Sequence, residues 1–201
     1  LAARTAEAAA PQMVDLGCGD LALLAPVLQR LPLGTYTGLD LTAQVLPLAQ
    51  SALGDVAYPC HWIEGDLLRW ASDPTSDGDQ PIDILHSAFA IHHLSDREKQ
   101  TLLECLRRRI APGGLFIWVD VFREPGESRD AYVRRYQQRI ASGWPQLSAQ
   151  QREHVSHHLA AYDHPADRAA IEATAKAAGW QWRWAWNGVH QAEAMAVLTP
   201  A

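Results

Sequence analysis

The chain lacks the features that mark several classes of protein. Its three cysteines, Cys18, Cys60 and Cys105, are scattered and form no Cys-x-x-Cys pair, which excludes a disulfide framework and a zinc site built on cysteines. No apolar run approaches about 18 residues, so no transmembrane helix is expected. The opening segment LAARTAEAAA has no apolar core of the kind found in signal peptides. These absences favour a protein of the reducing cytoplasm.

An excess of basic charge is also missing. The 201 residues carry a formal net charge of -6, so no positive field attracts the chain to nucleic acid or to an anionic membrane. With 48% hydrophobic and 20% charged residues, the composition favours a single globular domain over residues 1–201. Because the chain opens with Leu1 rather than Met, we expect that residues preceding it have been lost. Length and composition leave the oligomeric state open.

The sequence does contain an alternation of strand and helix patterns. This alternation predicts a parallel sheet with right-handed crossovers. The patterns at residues 180–186 and 192–199 predict two antiparallel strands joined around NGVHQ. The predicted fold class is α/β, with a Rossmann-like, mostly parallel seven-stranded sheet, helices on both faces and an antiparallel last strand. The first five strands are predicted at 12–17, 35–41, 60–67, 82–89 and 115–122, helices at 2–9, 20–31, 42–53 and 96–110, and a polar loop at 71–81.

Glycines and acids mark the predicted strand ends. Gly17 and Gly19 lie between the first strand and a helix, where missing side chains let the backbone approach a ligand closely. Asp15, two residues before the first glycine, suits a cationic ligand better than a phosphate. Asp40 ends the second strand, where a carboxylate can accept both hydroxyls of a ribose. Asp66 ends the third strand and can accept from an adenine amino group.

Five motifs follow one another in a recognisable order: VDLGCG, GLDL, EGDL, IDILHSAFAIHHL and LRRRIAPGGLFIWVD. Over about residues 12–122 the chain thereby resembles the class I S-adenosylmethionine-dependent methyltransferases. The resemblance implies S-adenosylmethionine as cofactor, with its methionine end at Asp15 and the glycines, its ribose at Asp40 and its adenine at Asp66. The expected cofactor-binding residues are Asp15, Gly17, Cys18, Gly19, Asp40, Leu41, Asp66, Leu67, Ser87, Ala88 and Phe89.

The resemblance further implies methyl transfer to a small-molecule acceptor. Such transfer depends chiefly on alignment, and a base is needed only when the acceptor loses a proton. His92 and Asp120 are the candidate catalytic residues, whereas His93 is interpreted as structural. The usual fold has one helix between the fifth and sixth strands, but this chain has three helical patterns, at about 128–142, 148–161 and 165–178. The surplus predicts a helical cap insertion over about 124–178.

Other hypotheses about the function remain open at this point. One is a user of S-adenosylmethionine with different chemistry, such as carboxy-transfer to the cofactor or cyclisation. Another is a cofactor-binding module without chemistry. A dinucleotide dehydrogenase is disfavoured because Asp15 and the EGDL motif have no role there.

Two further patterns allow both a structural and a functional interpretation. His154, His157 and His158 share one helix face, but no carboxylate is evident nearby, so no metal site is expected. Four tryptophans alternate along one predicted strand and therefore face one side of it. We interpret them as core residues, with an aromatic substrate wall as the alternative. These four are Trp180, Trp182, Trp184 and Trp186.

Overall fold

Strands and helices alternate along much of the chain. The computed structural model describes residues 10–73 and 81–201. The predicted helix at 2–9 and the 74–80 part of the predicted loop lie outside the described residues. The strands are β1 (Gln12–Leu16), β2 (Thr35–Asp40), β3 (Cys60–Glu64), β4 (Ile82–Ala88), β5 (Ile110–Arg123), β6 (Ala166–Asp167), β7 (Trp180–Asn187) and β8 (Glu193–Pro200). The α-helices are α1 (Ala25–Leu28), α2 (Leu46–Leu53), α3 (Leu67–Ser72), α4 (Asp96–Arg109), α5 (Arg129–Gly143), α6 (Ala149–Tyr162) and α7 (Arg168–Ala177).

The strands form one sheet in the order β3-β2-β1-β4-β5-β8-β7. The first five strands pair in parallel, and β8 runs antiparallel to both β5 and β7. The two-residue β6 pairs with β5 off this path. The predicted mostly parallel sheet with an antiparallel last strand is confirmed. The strand order reverses between β1 and β4, which is where open α/β sheets bind ligands.

Apolar side chains alternate along β1 and fill a layer on each face of the sheet. Met13 packs with residues of α1 and α2 on one face, whereas Val14 and Leu16 pack with residues of α3, α4 and α7 on the other. This alternation follows from the two-residue period of a strand. The predicted helices on both faces are confirmed. Among the described residues, no helix combines the length and the apolarity needed to cross a bilayer.

Two predicted boundaries near the sheet differ from the structure. The helix predicted from Asp20 begins only at Ala25, because Leu21 adopts a positive φ of 57° that an α-helix cannot contain. Asp20 instead accepts a local turn bond from the backbone of Ala22. The sequence pattern predicts the end of a strand and the start of a loop where the structure has helix α3. The helix forms because the Asp66 carboxylate caps its first turn.

The tryptophan strand packs into the core along most of its length. Trp180 is 1% exposed, and Trp182 and Trp184 pack against the same core layer. A register shift between Trp184 and Trp186 changes the alternation, so Trp186 is 50% exposed. The core interpretation is therefore confirmed for three tryptophans and wrong for Trp186.

Helices α5 and α6 are the surplus elements between β5 and β7. They share a small apolar cluster with Val121 of β5 and with Ala192, which precedes β8. Tyr136 of α5 donates a hydrogen bond to Glu193 at 2.9 Å, and Arg139 forms an ion pair with the same carboxylate. These contacts fix the helix pair to the edge of the sheet where β5 ends and β8 begins.

Candidate active site

The loop after β1 is held against the end of β2. The backbone N–H groups of Gly17 and Cys18 donate to the carbonyl of Leu39 at 2.8 and 3.0 Å. Gly17 has a φ of 73° and Gly19 a φ of 57°, which favour glycine at both positions. A Cβ on Gly17 would lie 2.4 Å from the Cβ of Ala90, whereas one on Gly19 would meet no described atom within 4 Å. The loops after β1 and β4 therefore touch at Gly17.

Asp15 is buried near the end of β1 and is held by two neighbours. The hydroxyl of Tyr36 donates to its Oδ2 at 3.0 Å, and Nδ1 of His86 lies 2.7 Å from its Oδ1. A buried carboxylate favours a nearby cation, which agrees with the cationic ligand expected at this position. Asp15 lines a cavity of about 190 Å³ together with Gly17, Cys18, Leu21, Ala88 and Phe89.

Asp40 closes β2 and joins two loops. The backbone N–H of Gly19 donates to its Oδ2 and that of Thr42 to its Oδ1, both at 2.9 Å. Each carboxylate oxygen can accept a second hydrogen bond, so the fixed pair can still receive two hydroxyl groups. Asp40 lines a second cavity of about 330 Å³, within the usual range for ligand sites.

The second cavity has an apolar rim. Leu41 is 71% exposed and Phe89 is 50% exposed, and both line the cavity together with Leu67. Phe89 adopts a φ of 54°, rare for a residue with a side chain, while its N–H donates to the carbonyl of Val119. Asp66, on the same lining, is exposed and already caps α3. Together these side chains offer a flat base an apolar surface with a carboxylate beside it.

The two cavities adjoin, because Gly17 and Phe89 line both of them. One contains the buried carboxylate of Asp15 and the other the accessible oxygens of Asp40. This arrangement fits S-adenosylmethionine, which carries cationic groups at one end, a ribose diol in the middle and a flat adenine at the other end.

Ser87, predicted to bind the cofactor, instead connects two strands. Ser87 is buried and donates to the carbonyl of Leu16 at 2.8 Å, so it links β4 to β1 and lines neither cavity. Cys18 and Ala88 line the smaller cavity. Burial raises the pKa of the Cys18 thiol, which therefore stays protonated at neutral pH.

His92 and Asp120 form a buried pair beside this region. Nδ1 of His92 lies 2.6 Å from Oδ1 of Asp120, and the backbone N–H of His92 donates to Oδ2 at 3.0 Å. The Trp118 indole and the backbone N–H of Val121 also donate to the Asp120 carboxylate. Burial lowers the pKa of His92, but the hydrogen bond and charge of Asp120, with the charge of Asp163, raise it above its ordinary value.

His92 and His93 have environments different from those expected. His92 is 8% exposed and points to Asp120, whereas the His93 side chain is 42% exposed and lines the larger cavity. Both residues lie in a 3₁₀ turn, Ile91–His93, and their rings are 4.0 Å apart. Consecutive side chains of such a turn point in different directions, so only one of the pair can face the cavity. The structure places His93 there.

Asp163, which follows α6 and is buried, is a further residue of the site that no sequence pattern indicates. Its Oδ1 lies 3.6 Å from Nε2 of His92, 3.7 Å from Nδ1 of His93 and 3.9 Å from Nε2 of His158. No local signal pairs these residues, because the contact depends on how α6 docks. A hollow of about 400 Å³ adjoins them, lined by His93, His158, Ala161, Tyr162 and His164.

Comparison with known proteins agrees with this geometry. Residues 14–116, about half of the chain, match the family described as "Methyltransferase domain". A trans-aconitate 2-methyltransferase of Azoarcus sp. (strain BH72) is 34% identical over 106 residues, which are 53% of this chain and 37% of that protein. The chain thus spans well under two thirds of this relative's length.

Solved structures show a similar fold at low sequence identity. The complex of DhpI with SAH has a TM-score of 0.63 at 18% identity and covers 95% of this chain and 77% of that one. Human N-acetylserotonin methyltransferase in complex with SAM has a TM-score of 0.60 at 16% identity, covering 95% of this chain and 48% of that one. The chain therefore belongs to the methyltransferase-domain family and has the fold of the class I S-adenosylmethionine-dependent methyltransferases.

Proposed function

We propose that the chain transfers a methyl group from S-adenosylmethionine to a small-molecule acceptor. The observation that carries this proposal is the pair of adjoining cavities at the carboxyl ends of the central strands, one lined by Asp15 and the other by Asp40. Family membership supports it. The Azoarcus relative, named a trans-aconitate 2-methyltransferase, supports a small acceptor.

The cofactor would be held at three points along the two cavities. Asp15 would face its cationic methionine end, Asp40 would accept from the ribose hydroxyls, and Asp66 would lie beside the adenine. Leu41 and Phe89 would cover the faces of the base. The bound cofactor supplies an electrophilic methyl group on a sulfonium sulfur. The contribution of the protein is to fix donor and acceptor in line, with water excluded.

The pair of His92 and Asp120 is the proposed proton acceptor when the methylated group is a hydroxyl or an ammonium. Asp120 accepts a hydrogen bond from the Nδ1–H of His92, which leaves the lone pair of the neutral ring on Nε2. His92 lines none of the three described cavities and lies behind His93, so the proton would reach it through a water molecule or the His93 ring. Because the pKa of His92 is raised, its neutral form, and with it the rate, should increase as the pH rises through that pKa.

The hollow beside His93 is the proposed acceptor site. Helix α6 supplies His158 and Tyr162 to one side of it, and the turn after β4 supplies His93 to the other. Its volume of about 400 Å³ suits a small molecule. Under this proposal the region over 124–178 is the helical cap that the sequence predicts.

The charge and the cysteines of the chain bear on its partners and its location in the cell. The net charge of -6 supports the absence of a nucleic-acid partner. The three cysteines are free in the structure, which supports a reducing cytoplasm as the location.

Replacing Asp40 with alanine is expected to weaken binding of S-adenosylmethionine by about tenfold or more. A hydrogen bond to a charged group contributes roughly 1.5–3 kcal/mol, and about 1.4 kcal/mol corresponds to tenfold in affinity. Isothermal calorimetry on the wild type and on Asp40→Ala measures the difference. Asp55→Ala, at an exposed position after α2, is the matched control. Unchanged affinity in a folded Asp40→Ala protein would remove Asp40 from the site.

Measurement of turnover distinguishes the proposed methyl transfer from the two alternative hypotheses, a different cofactor chemistry and a binding module without chemistry. The chain is incubated with S-adenosylmethionine and a panel of small carboxylic acids, phenols and amines, and both products are quantified. Equal amounts of S-adenosylhomocysteine and methylated acceptor support methyl transfer. Consumption of the cofactor without a methylated acceptor indicates different chemistry, and tight binding without any turnover indicates a binding module.

A further inference from the structure

Three histidine nitrogens surround a single carboxylate oxygen beside the proposed acceptor site. His92 and His93 come from the turn after β4, His158 comes from α6, and Asp163 directly follows α6. The distances from Oδ1 of Asp163 to the three nitrogens are 3.6, 3.7 and 3.9 Å. The side chains of His93 and His158 are 42% and 52% exposed, so the cluster is open on one side.

The carboxylate of Asp163 is poorly satisfied for its depth. The residue is 6% exposed, and its Oδ1 has no hydrogen-bond partner among the described residues. Asp120 holds Nδ1 of His92, so in the neutral ring the Nε2 lone pair of His92 faces this oxygen. A lone pair opposite a carboxylate oxygen is repulsive unless a proton or a cation lies between them. The arrangement therefore calls for a positive charge at this point, which either a proton on the His92 ring or a bound cation supplies.

We propose that His92, His93 and Asp163 bind a divalent first-row transition-metal ion such as Zn²⁺, with His158 beside it. The ligand atoms of these three residues all lie within 4.8 Å of one another. In a tetrahedral site with bonds of about 2.0–2.1 Å, neighbouring ligand atoms are roughly 3.3 Å apart. Oδ1 of Asp163 already lies 3.6 and 3.7 Å from the nitrogens of His92 and His93, and closing the site requires ligand atoms that lie within 4.8 Å of one another to approach by up to about 1.5 Å through side-chain rotation. Imidazole nitrogens favour such ions over Mg²⁺ and Ca²⁺, which prefer oxygen ligands.

Three other features agree with a metal ion. Asp120 accepts from the far nitrogen of His92, the contact that orients metal-binding histidines. Three protein ligands leave a fourth position open, and the hollow beside His93 adjoins the cluster. The ammonium of buried Lys99 donates to two backbone carbonyls, and these contacts leave the Asp163 carboxylate for another cation.

The site was not expected from the sequence, which gave the histidines of α6 no carboxylate partner. The base and metal roles of His92 use the same lone pair and therefore belong to two states of the protein. For this reason the base is tested in the presence of a chelator, and the metal site is tested by binding alone. The metal proposal does not depend on methyl transfer.

Calorimetry and absorption spectroscopy test the site on untagged protein treated with EDTA and then desalted. We expect a single Zn²⁺ per chain, bound with a dissociation constant of about micromolar or below. Co²⁺ should give the visible bands of a low-coordinate site with nitrogen and oxygen ligands. Asp163→Asn and His93→Ala should each weaken Zn²⁺ binding by about tenfold or more. His157→Ala, an exposed histidine of α6 outside the cluster, is the matched control and should bind like the wild type.

The outcomes separate the metal site from the proposed function. Absence of stoichiometric Zn²⁺ binding by the wild type would overturn the metal proposal, as would equal binding by His93→Ala and the control. His93 is exposed, so this variant carries the test even if Asp163→Asn fails to fold. S-adenosylhomocysteine is titrated into the same samples. Failure of the wild type to bind it contradicts the proposed function and leaves the metal result standing.

Discussion

Replacing His92 with alanine is expected to lower the rate of methyl transfer to a hydroxyl or ammonium acceptor by roughly 10²–10⁴-fold. The variant loses the imidazole that Asp120 orients and whose pKa is raised by the neighbouring carboxylates. Cofactor affinity should hardly change, because His92 lines neither cofactor cavity. The measurement is release of S-adenosylhomocysteine across pH in the presence of a chelator.

Two controls make this result specific to a base. His190→Ala removes an exposed histidine and should keep the wild-type rate. Asp163→Asn removes a charge that raises the pKa of His92, so the rising limb of its rate profile should move to lower pH. If His92→Ala keeps the wild-type rate at every pH, transfer relies on alignment alone and His92 is structural.

Replacing Gly17 with alanine is expected to weaken cofactor binding by on the order of tenfold to hundredfold. The backbone at Gly17 has a φ of 73°, which costs a residue with a Cβ roughly 1–2 kcal/mol. The new Cβ would also lie 2.4 Å from the Cβ of Ala90, and neither methyl group can rotate away. The loops after β1 and β4 must therefore move apart, which changes both cavities. Calorimetry with S-adenosylhomocysteine and thermal unfolding measure the effect.

A neighbouring glycine and a double variant separate the contact from the backbone strain. Gly19→Ala shares the positive φ but meets no described atom within 4 Å, so it should weaken binding less than Gly17→Ala. Adding Ala90→Gly to Gly17→Ala removes the contact and should restore part of the affinity. Equal affinities for Gly17→Ala and Gly19→Ala would show that the contact with Ala90 has no role.

The cofactor half of the site could be predicted because its signals are local. Asp15, Asp40 and Asp66 each lie at or just beyond the end of a short apolar run, and parallel strands bring their carboxyl ends to one edge. For the same reason, Gly17 and Gly19 after β1 could be predicted to lie at this edge. Ser87 shows the limit of this reasoning, since a position at a strand end does not say whether the side chain faces the ligand or another strand.

The other half of the site depends on contacts between distant parts of the chain. Asp163 meets His92 only because α6 docks beside the turn after β4, where the N–H of His164 donates to the carbonyl of His92. No periodicity in the sequence encodes that docking. The sequence pattern also does not predict backbone details such as the positive φ of Leu21 and the register shift before Trp186.

A crystal structure of the chain with S-adenosylhomocysteine tests the proposed cofactor site most directly. We predict the ribose hydroxyls within hydrogen-bonding distance of the Asp40 carboxylate, the ammonium group beside Asp15, and the sulfur facing the side of the cavity lined by His93. Such a complex would also show the space left for an acceptor. A ligand bound elsewhere on the chain, or a ribose pointing away from Asp40, would contradict the proposed site.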